Sequence, residues 1–239
     1  MLAAVRTTVR GSAPPLPLLR AAALFVAVAG CVSAHAPLPF APPLPALVAA
    51  NEAAGDPYGG RFPMEEALAD LPGQGPLIAL LDTDAGTIRC RLEPETAPIT
   101  VANFIGLARG LRPFQVEEDG PWTRANFYDD LPWHRAIEGQ FVQTGRRGDR
   151  ENPGFNLQDE ISPGAKFDRP GALALANAGA PNSGAAQFFI TSEALSHLNG
   201  AYTLFGACDS PHVVRELSRQ VRARPSDPPR LRKVTITRG

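Results

Sequence analysis

The sequence predicts a mainly β domain, a barrel or sandwich with accessory helices, carried behind a long non-globular arm. Short apolar or alternating runs bounded by turn residues recur from Leu77 to the C-terminus. Amphipathic helical stripes interrupt them at only two places, and no repeat with a period of roughly 20–50 residues is visible. Proline marks the arm: 25 prolines among 239 residues is about twice the usual share of roughly 5%, and many sit near the N-terminus.

The first thirty residues read as an address. Arg6, Arg10 and Arg20 form a basic region without acidic residues, and Ala21 to Ala29 is an apolar run that ends at Gly30 and Cys31. Spanning a bilayer takes about 20 apolar residues, so the run is too short to cross. Basic, apolar, small is the order of a signal peptide. Val28-Ala29-Gly30-Cys31 resembles a bacterial lipobox, which implies cleavage before Cys31 and lipidation of its thiol. Residues 1–30 are therefore expected to be a signal peptide. Residues 31–70 are expected to be a Pro/Ala-rich tether, because Pro37, Pro39, Pro42, Pro43 and Pro45 fix φ and lack N–H donors. Residues 71–239 should form the folded domain. The address implies an exported protein, lipid-anchored in the bacterial envelope, facing the periplasm or the surface. Val32 follows Cys31 in place of the Asp that marks inner-membrane retention in enterobacteria, which points towards the outer membrane.

Leu77 to Leu81 is an apolar strand, Asp82 to Gly86 a turn, and Thr87 to Leu92 an alternating strand with Ile88, Cys90 and Leu92 on one face. That pattern predicts a hairpin and turns Cys90 inward as a buried free thiol. A helix follows, with Thr96 as its cap, Pro98 in its first turn and Gly110 at its end. Val101, Phe104, Ile105 and Ala108 supply its apolar stripe. Short strands are predicted at Trp133–Ile137, Phe141–Thr144, Ala172–Ala176, Phe188–Thr191 and Thr203–Phe205, a second amphipathic helix at His212–Val221, and a last strand at Val234–Thr237.

Composition excludes several functions. With 23 basic and 24 acidic residues the formal net charge is −1, and no single-sign field for nucleic acid is implied. The cysteines are Cys31, Cys90 and Cys208. This odd count describes no disulfide framework, and no CxxC pair or Cys/His cluster suggests a metal. No cofactor is expected.

Three segments carry candidate chemistry: WHRAIEGQFVQTG from Trp133, ANAGAPNSGAAQFFIT from Ala176, and HLNGAYTLFG from His197. Strand alternation places Arg135 with Ile137, Phe141 with Gln143, and Gln187 with Phe189. An Arg and two amides among apolar rings suits a small-ligand groove. Taken singly, an Arg on a strand is ordinarily solvated and FFI is ordinarily core. In combination, these segments and the APxTVxNFxxLA-like helix upstream resemble the cyclophilins over Leu77 to Gly239, in order and spacing.

The resemblance implies a closed eight-stranded antiparallel β-barrel capped by two α-helices, and a peptidyl-prolyl cis/trans isomerase acting on proline-containing polypeptides as a monomer. It implies Arg135 as the catalytic guanidinium and Gln143 as its partner and a hold on the substrate carbonyl. Asn177 would bind substrate backbone, with Phe141, Phe189 and Leu198 around the proline ring. Ala176, Ala178 and Gln187 would line the adjoining groove, and Gln140, His197 and Tyr202 would complete the substrate surface. Four positions depart from the family. Gln140 stands where Phe is usual, His197 where Trp is common, Tyr202 where His is often found, and Ala186 where Ser is. Gln140 replaces an apolar wall with an amide, so a catalytically weak peptide-binding module or chaperone is the alternative expectation.

Overall fold

The computed structural model describes residues 44–239. The leader, Cys31 and the proline-rich stretch up to residue 43 lie outside the described residues. From Pro45 onward the chain departs from the expected tether. Helix α1 (Pro45–Ala53) begins with Pro45 in its first turn, where its missing N–H costs nothing, and continues through Ala, Leu and Glu. Behind it, buried Asp56 accepts hydrogen bonds from the N–H groups of Tyr58 (3.2 Å) and Gly60 (2.6 Å) and pairs with buried Arg112. The packed domain thus starts near residue 45 rather than 71. A long-range ion pair, invisible in local composition, overrides the proline-rich reading there.

The short helix α2 (Met64–Ala67) has its last carbonyls covered by a cation from elsewhere: Arg109 donates to Ala67 O (2.5 Å) and Ala69 O (2.7 Å). Strands β1 (Leu77–Thr83) and β2 (Gly86–Leu92) form the expected hairpin, with Ile88, Cys90 and Leu92 inward. Helix α3 (Pro98–Ala108) is buried along nearly its whole length. Thr96 does not cap it. The cap is Glu160, whose two carboxylate oxygens each accept a backbone N–H at 2.8 Å, from Ile99 and Thr100. An acidic group at a helix N-terminus answers both the orphan donors and the macrodipole. Burial raises the Glu160 pKa, and the hydrogen bonds from Ile99 and Thr100 oppose that shift.

Short strands then follow: β3 (Leu131–Pro132), β4 (Arg135–Ile137), β5 (Phe141–Thr144), β6 (Ala172–Leu175) and β7 (Phe188–Thr191). After a 3-10 turn over Ser196–Leu198 come β8 (Leu204–Cys208), α4 (Pro211–Ala223) and β9 (Arg230–Arg238). All pairings are antiparallel, in one nine-stranded sheet ordered β3-β9-β1-β2-β8-β6-β7-β5-β4.

The fold is mainly β as expected, with two corrections among the described residues. The strands number nine rather than eight, because Trp133 and His134 break one run into β3 and β4. Trp133 N–H continues the β3–β9 register to Pro229 O at 2.9 Å, whereas Arg135 pairs with Gln143 on β5. The hydrogen-bonded order is open between β3 and β4, so these two residues join its opposite margins through the chain itself. The two expected helices, α3 and α4, are joined by α1 and α2.

The main core lies between the sheet and α3 and α4. Phe104 stands edge-on to Phe188 (centroids 5.5 Å, 88°), and Trp133 is edge-on to Phe188 (6.0 Å, 86°). Along β7, Phe188 and Ile190 enter this core, while Phe189 enters a second, smaller apolar cluster on the other side.

Cys90 is not a free thiol: it is bonded to Cys208, 118 residues away. Strands β2 and β8 pair antiparallel in a register that sets the two cysteines directly opposite, with Cα atoms 3.9 Å apart. The odd cysteine count arises because Cys31 stands apart from this pair. A cross-link closing so long a loop contributes about 2–4 kcal/mol. Cys208→Ser is expected to lower the melting temperature measurably, and reducing agent should lower wild type to about the same value. Equal melting curves with and without reductant would show that the cross-link is absent in solution.

Candidate active site

The β4–β5 hairpin positions the groove. Its register sets Arg135 opposite Gln143 and Ile137 opposite Phe141, and β5 in turn pairs Gln143 with Phe189 on β7. Three residues from three strands therefore stand in line across the sheet: Arg135, Gln143 and Phe189. Arg135 is exposed, while Gln143 and Phe189 are buried.

A chain of hydrogen bonds runs through this row. Arg135 Nη1 donates to Gln143 Oε1 (3.2 Å), and Gln143 Nε2 donates to Gln187 Oε1 (3.0 Å). Gln187 Nε2 donates to Glu151 O (2.8 Å) and Glu151 Oε2 (3.0 Å). The polarity of this chain is forced. A guanidinium only donates, and a carbonyl and a carboxylate only accept. The two amides between them have a single orientation that satisfies both ends.

Beside this chain lies the second apolar cluster. Phe141 and Phe189 meet at 5.2 Å, Phe189 meets Tyr202 edge-on at 5.1 Å, and Phe167 stacks on Phe189 at 6.0 Å and 11°. Leu198 packs against the same cluster. The Arg135 guanidinium sits 5.1 Å from the Phe141 ring centre, so charge and rings adjoin.

Next to the rings is a cavity of about 460 Å³, lined by Arg135, Gln143, Gln187, Ala176, Asn177 and Ala178 among others. The Asn177 side chain is tied into its own loop. It donates to Ala201 O (3.1 Å) and accepts from Gly179 N–H (3.1 Å). His134 also lines the cavity, and its pKa is lowered, first by burial and then by the Arg146 cation. The Glu151 carboxyl is held below the usual range, mainly by the Gln187 hydrogen bond.

The structure brings together Arg135, Gln143, Gln187, Ala176, Asn177 and Ala178 around the cavity, and Phe141, Phe189, Leu198 and Tyr202 around the rings. Gln140 does not line the cavity. It lies in the hairpin turn, at the opposite end from Arg135, and its carbonyl accepts the Ser192 N–H at 2.7 Å. His197 is exposed in the turn before Leu198.

Sequence reasoning missed Phe167, which is 1% exposed and stacks on Phe189. It is an isolated Phe between turn residues, with no periodic pattern to reveal it. The reading also missed Glu151, Asn152 and Asn156, which come from an irregular loop and line the same cavity.

A cationic donor thus stands beside a cluster of packed rings and a cavity lined by two amides. Comparison with known proteins supplies the rest. The family model for cyclophilin type peptidyl-prolyl cis-trans isomerase/CLD matches residues 78–238. Peptidyl-prolyl cis-trans isomerase A of Mycobacterium tuberculosis is 38% identical over 171 residues, covering 66% of this chain and 91% of that protein. Peptidyl-prolyl cis-trans isomerase B of Streptomyces anulatus is 37% identical over 154 residues, covering 64% and 87%. Among solved structures, a cyclophilin type isomerase of Cryptosporidium parvum superposes with a TM-score of 0.57 at 26% identity, covering 69% of this chain and 99% of that one. The chain belongs to the cyclophilin family of peptidyl-prolyl cis-trans isomerases, and it is an enzyme of that class.

Proposed function

We propose that this isomerase accelerates rotation about X–Pro bonds in exported or envelope polypeptides, with Arg135 as the catalytic donor. The observation that carries the site assignment is the Arg135–Gln143–Gln187 chain lying beside the Phe141–Phe189 rings. Rotation about a peptide bond costs roughly 18–20 kcal/mol because amide resonance is lost. As resonance breaks, the prolyl nitrogen regains a lone pair. Arg135 donates towards that nitrogen from a planar fork of N–H groups. Phe141, Phe189 and Leu198 hold the proline ring. Gln143 orients the guanidinium and holds the substrate carbonyl. The main chain of Asn177 binds the flanking backbone, since its side chain is spent on its loop. Donors fixed before the substrate arrives need no reorganisation during the rotation. Isomerase assays on a defined X–Pro peptide test the reading, through the Arg135 variant discussed below.

The exported setting rests on two independent features. One is the leader ending at Cys31. The other is the Cys90–Cys208 disulfide, a bond that persists in oxidising compartments and is rare in a reducing cytosol. Lipid attached at Cys31 places the protein at a membrane of the envelope. Expressed with its leader in a bacterium, the protein is expected to partition with membranes and to incorporate labelled fatty acid. Cys31→Ala should abolish the label, and labelling that persists in this variant would refute the anchor.

A further inference from the structure

We propose that the segment ahead of β1 is a positioning strap for the isomerase site, acting through Asn51 on the loop that carries Glu151 to Asn156. Asn51 is 4% exposed, although the rest of α1 is mostly at the surface. Its amide reads the backbone of Asn156 in both directions. Asn51 Nδ2 donates to Asn156 O (2.9 Å), and Asn156 N–H donates to Asn51 Oδ1 (3.0 Å). Gly60 packs against this junction so closely that a Cβ there would lie 2.4 Å from Asn51 Nδ2 and 2.7 Å from Asn156 O.

The strap grips the same loop a second time. Asp56 holds Arg112, whose guanidinium lies 3.9 Å from the centre of the Phe155 ring. The loop gripped in this way ends in the catalytic row. Its Glu151 carbonyl and carboxylate are the two acceptors for Gln187 Nε2. Those acceptors fix Gln187, Gln187 fixes Gln143, and Gln143 meets Arg135. A second path leads the same way: Arg112 Nε donates to Asn103 Oδ1 (3.4 Å), and Asn103 Nδ2 donates to Ala185 O (2.9 Å) at the cavity wall.

Asn51 is thus a positioning residue that touches no substrate. It locates the loop, and the loop locates the acceptors that set the amide relay. The inference rests on the assignment of Arg135 and Gln143 as the reacting groups. The two are separated by measuring Arg135→Ala alongside. An unimpaired Arg135→Ala enzyme sinks the assignment, whereas an impaired one with neutral Asn51 variants sinks only the strap.

The experiment measures kcat and KM on an X–Pro peptide well below the melting temperature, for wild type, Asn51→Ala and Asn51→Leu. A misplaced relay should show in the rate, so kcat is expected to fall about tenfold in Asn51→Ala while KM stays within about twofold. Asn51→Leu removes both bonds but keeps the side-chain volume, so it should show the same kcat loss, and it carries the test if the Ala variant does not fold. Combined with Gln187→Met, which removes the relay, Asn51→Ala should cost less than about twofold further. Melting temperatures that fall while kcat holds would make the strap merely structural. Losses that multiply with Gln187→Met would place its effect outside the relay. Either result overturns the proposal.

Discussion

Arg135→Ala is expected to lower kcat/KM for a proline peptide by about one to two decades while leaving the fold intact. The guanidinium stands on β4 with its side chain exposed and makes one hydrogen bond to the protein, to Gln143 Oε1 at 3.2 Å. Removing it leaves the Phe141–Phe189 cluster in place, so the grip on the ring survives. What is lost is a charged hydrogen bond, worth roughly 1.5–3 kcal/mol, at the moment the prolyl nitrogen becomes an acceptor. Because that bond matters most in the transition state, kcat should fall more than KM rises. Arg135→Lys should rescue poorly, since a compact ammonium on a flexible stem does not reproduce the planar fork opposite Gln143. Circular dichroism serves as the folding control. A folded Ala variant with near wild-type activity would remove Arg135 from the mechanism and favour the reading of a peptide-binding module.

Asp56→Ala is expected to produce the largest loss of stability. Asp56 and Arg112 meet in two bonds of 2.6 and 2.7 Å, and both side chains have no solvent exposure. Deleting the carboxylate leaves a buried guanidinium with Asn103 and the Tyr58, Phe62 and Phe155 rings around it, and no counter-charge in contact. Breaking a buried pair from one side costs about 3–5 kcal/mol, a large share of the 5–15 kcal/mol that ordinarily holds a domain together. The Gly60 N–H loses its acceptor in the same change. Denaturant unfolding should show the loss. Asp56→Ala combined with Arg112→Met should recover part of it, because the orphaned charge is then gone. A single variant within about 1 kcal/mol of wild type would mean that the segment ahead of β1 is not latched by this pair.

The two predictions fall on opposite sides of what could be read from sequence. Arg135, Gln143, Phe141 and Phe189 were legible because each sits on a short strand, and Gln187 because it directly precedes one. Alternation along a strand assigns sides without knowledge of the partner strand. The motifs around them then gave the groove its order. Gln140 sits in the turn beside Phe141, where no alternation assigns a side. Asp56 and Arg112 lie 56 residues apart, and each taken alone reads as an ordinary surface charge.

The sequence by itself determined the hairpin of β1 and β2, the apolar stripe of α3, the strands that bear the site and the mainly β class. Each of these is written in side-chain periodicity within a few consecutive residues. Only the tertiary structure decided that Cys90 pairs with Cys208, that Glu160 and not Thr96 caps α3, and that Phe167 completes the ring cluster. It alone made the run from Pro45 part of the domain. These are meetings between residues from 22 to 118 positions apart that local pattern does not encode. Strand register and loop path bring them together, and once buried they hold because an unpaired charge, donor or acceptor away from water costs more than the entropy of ordering it.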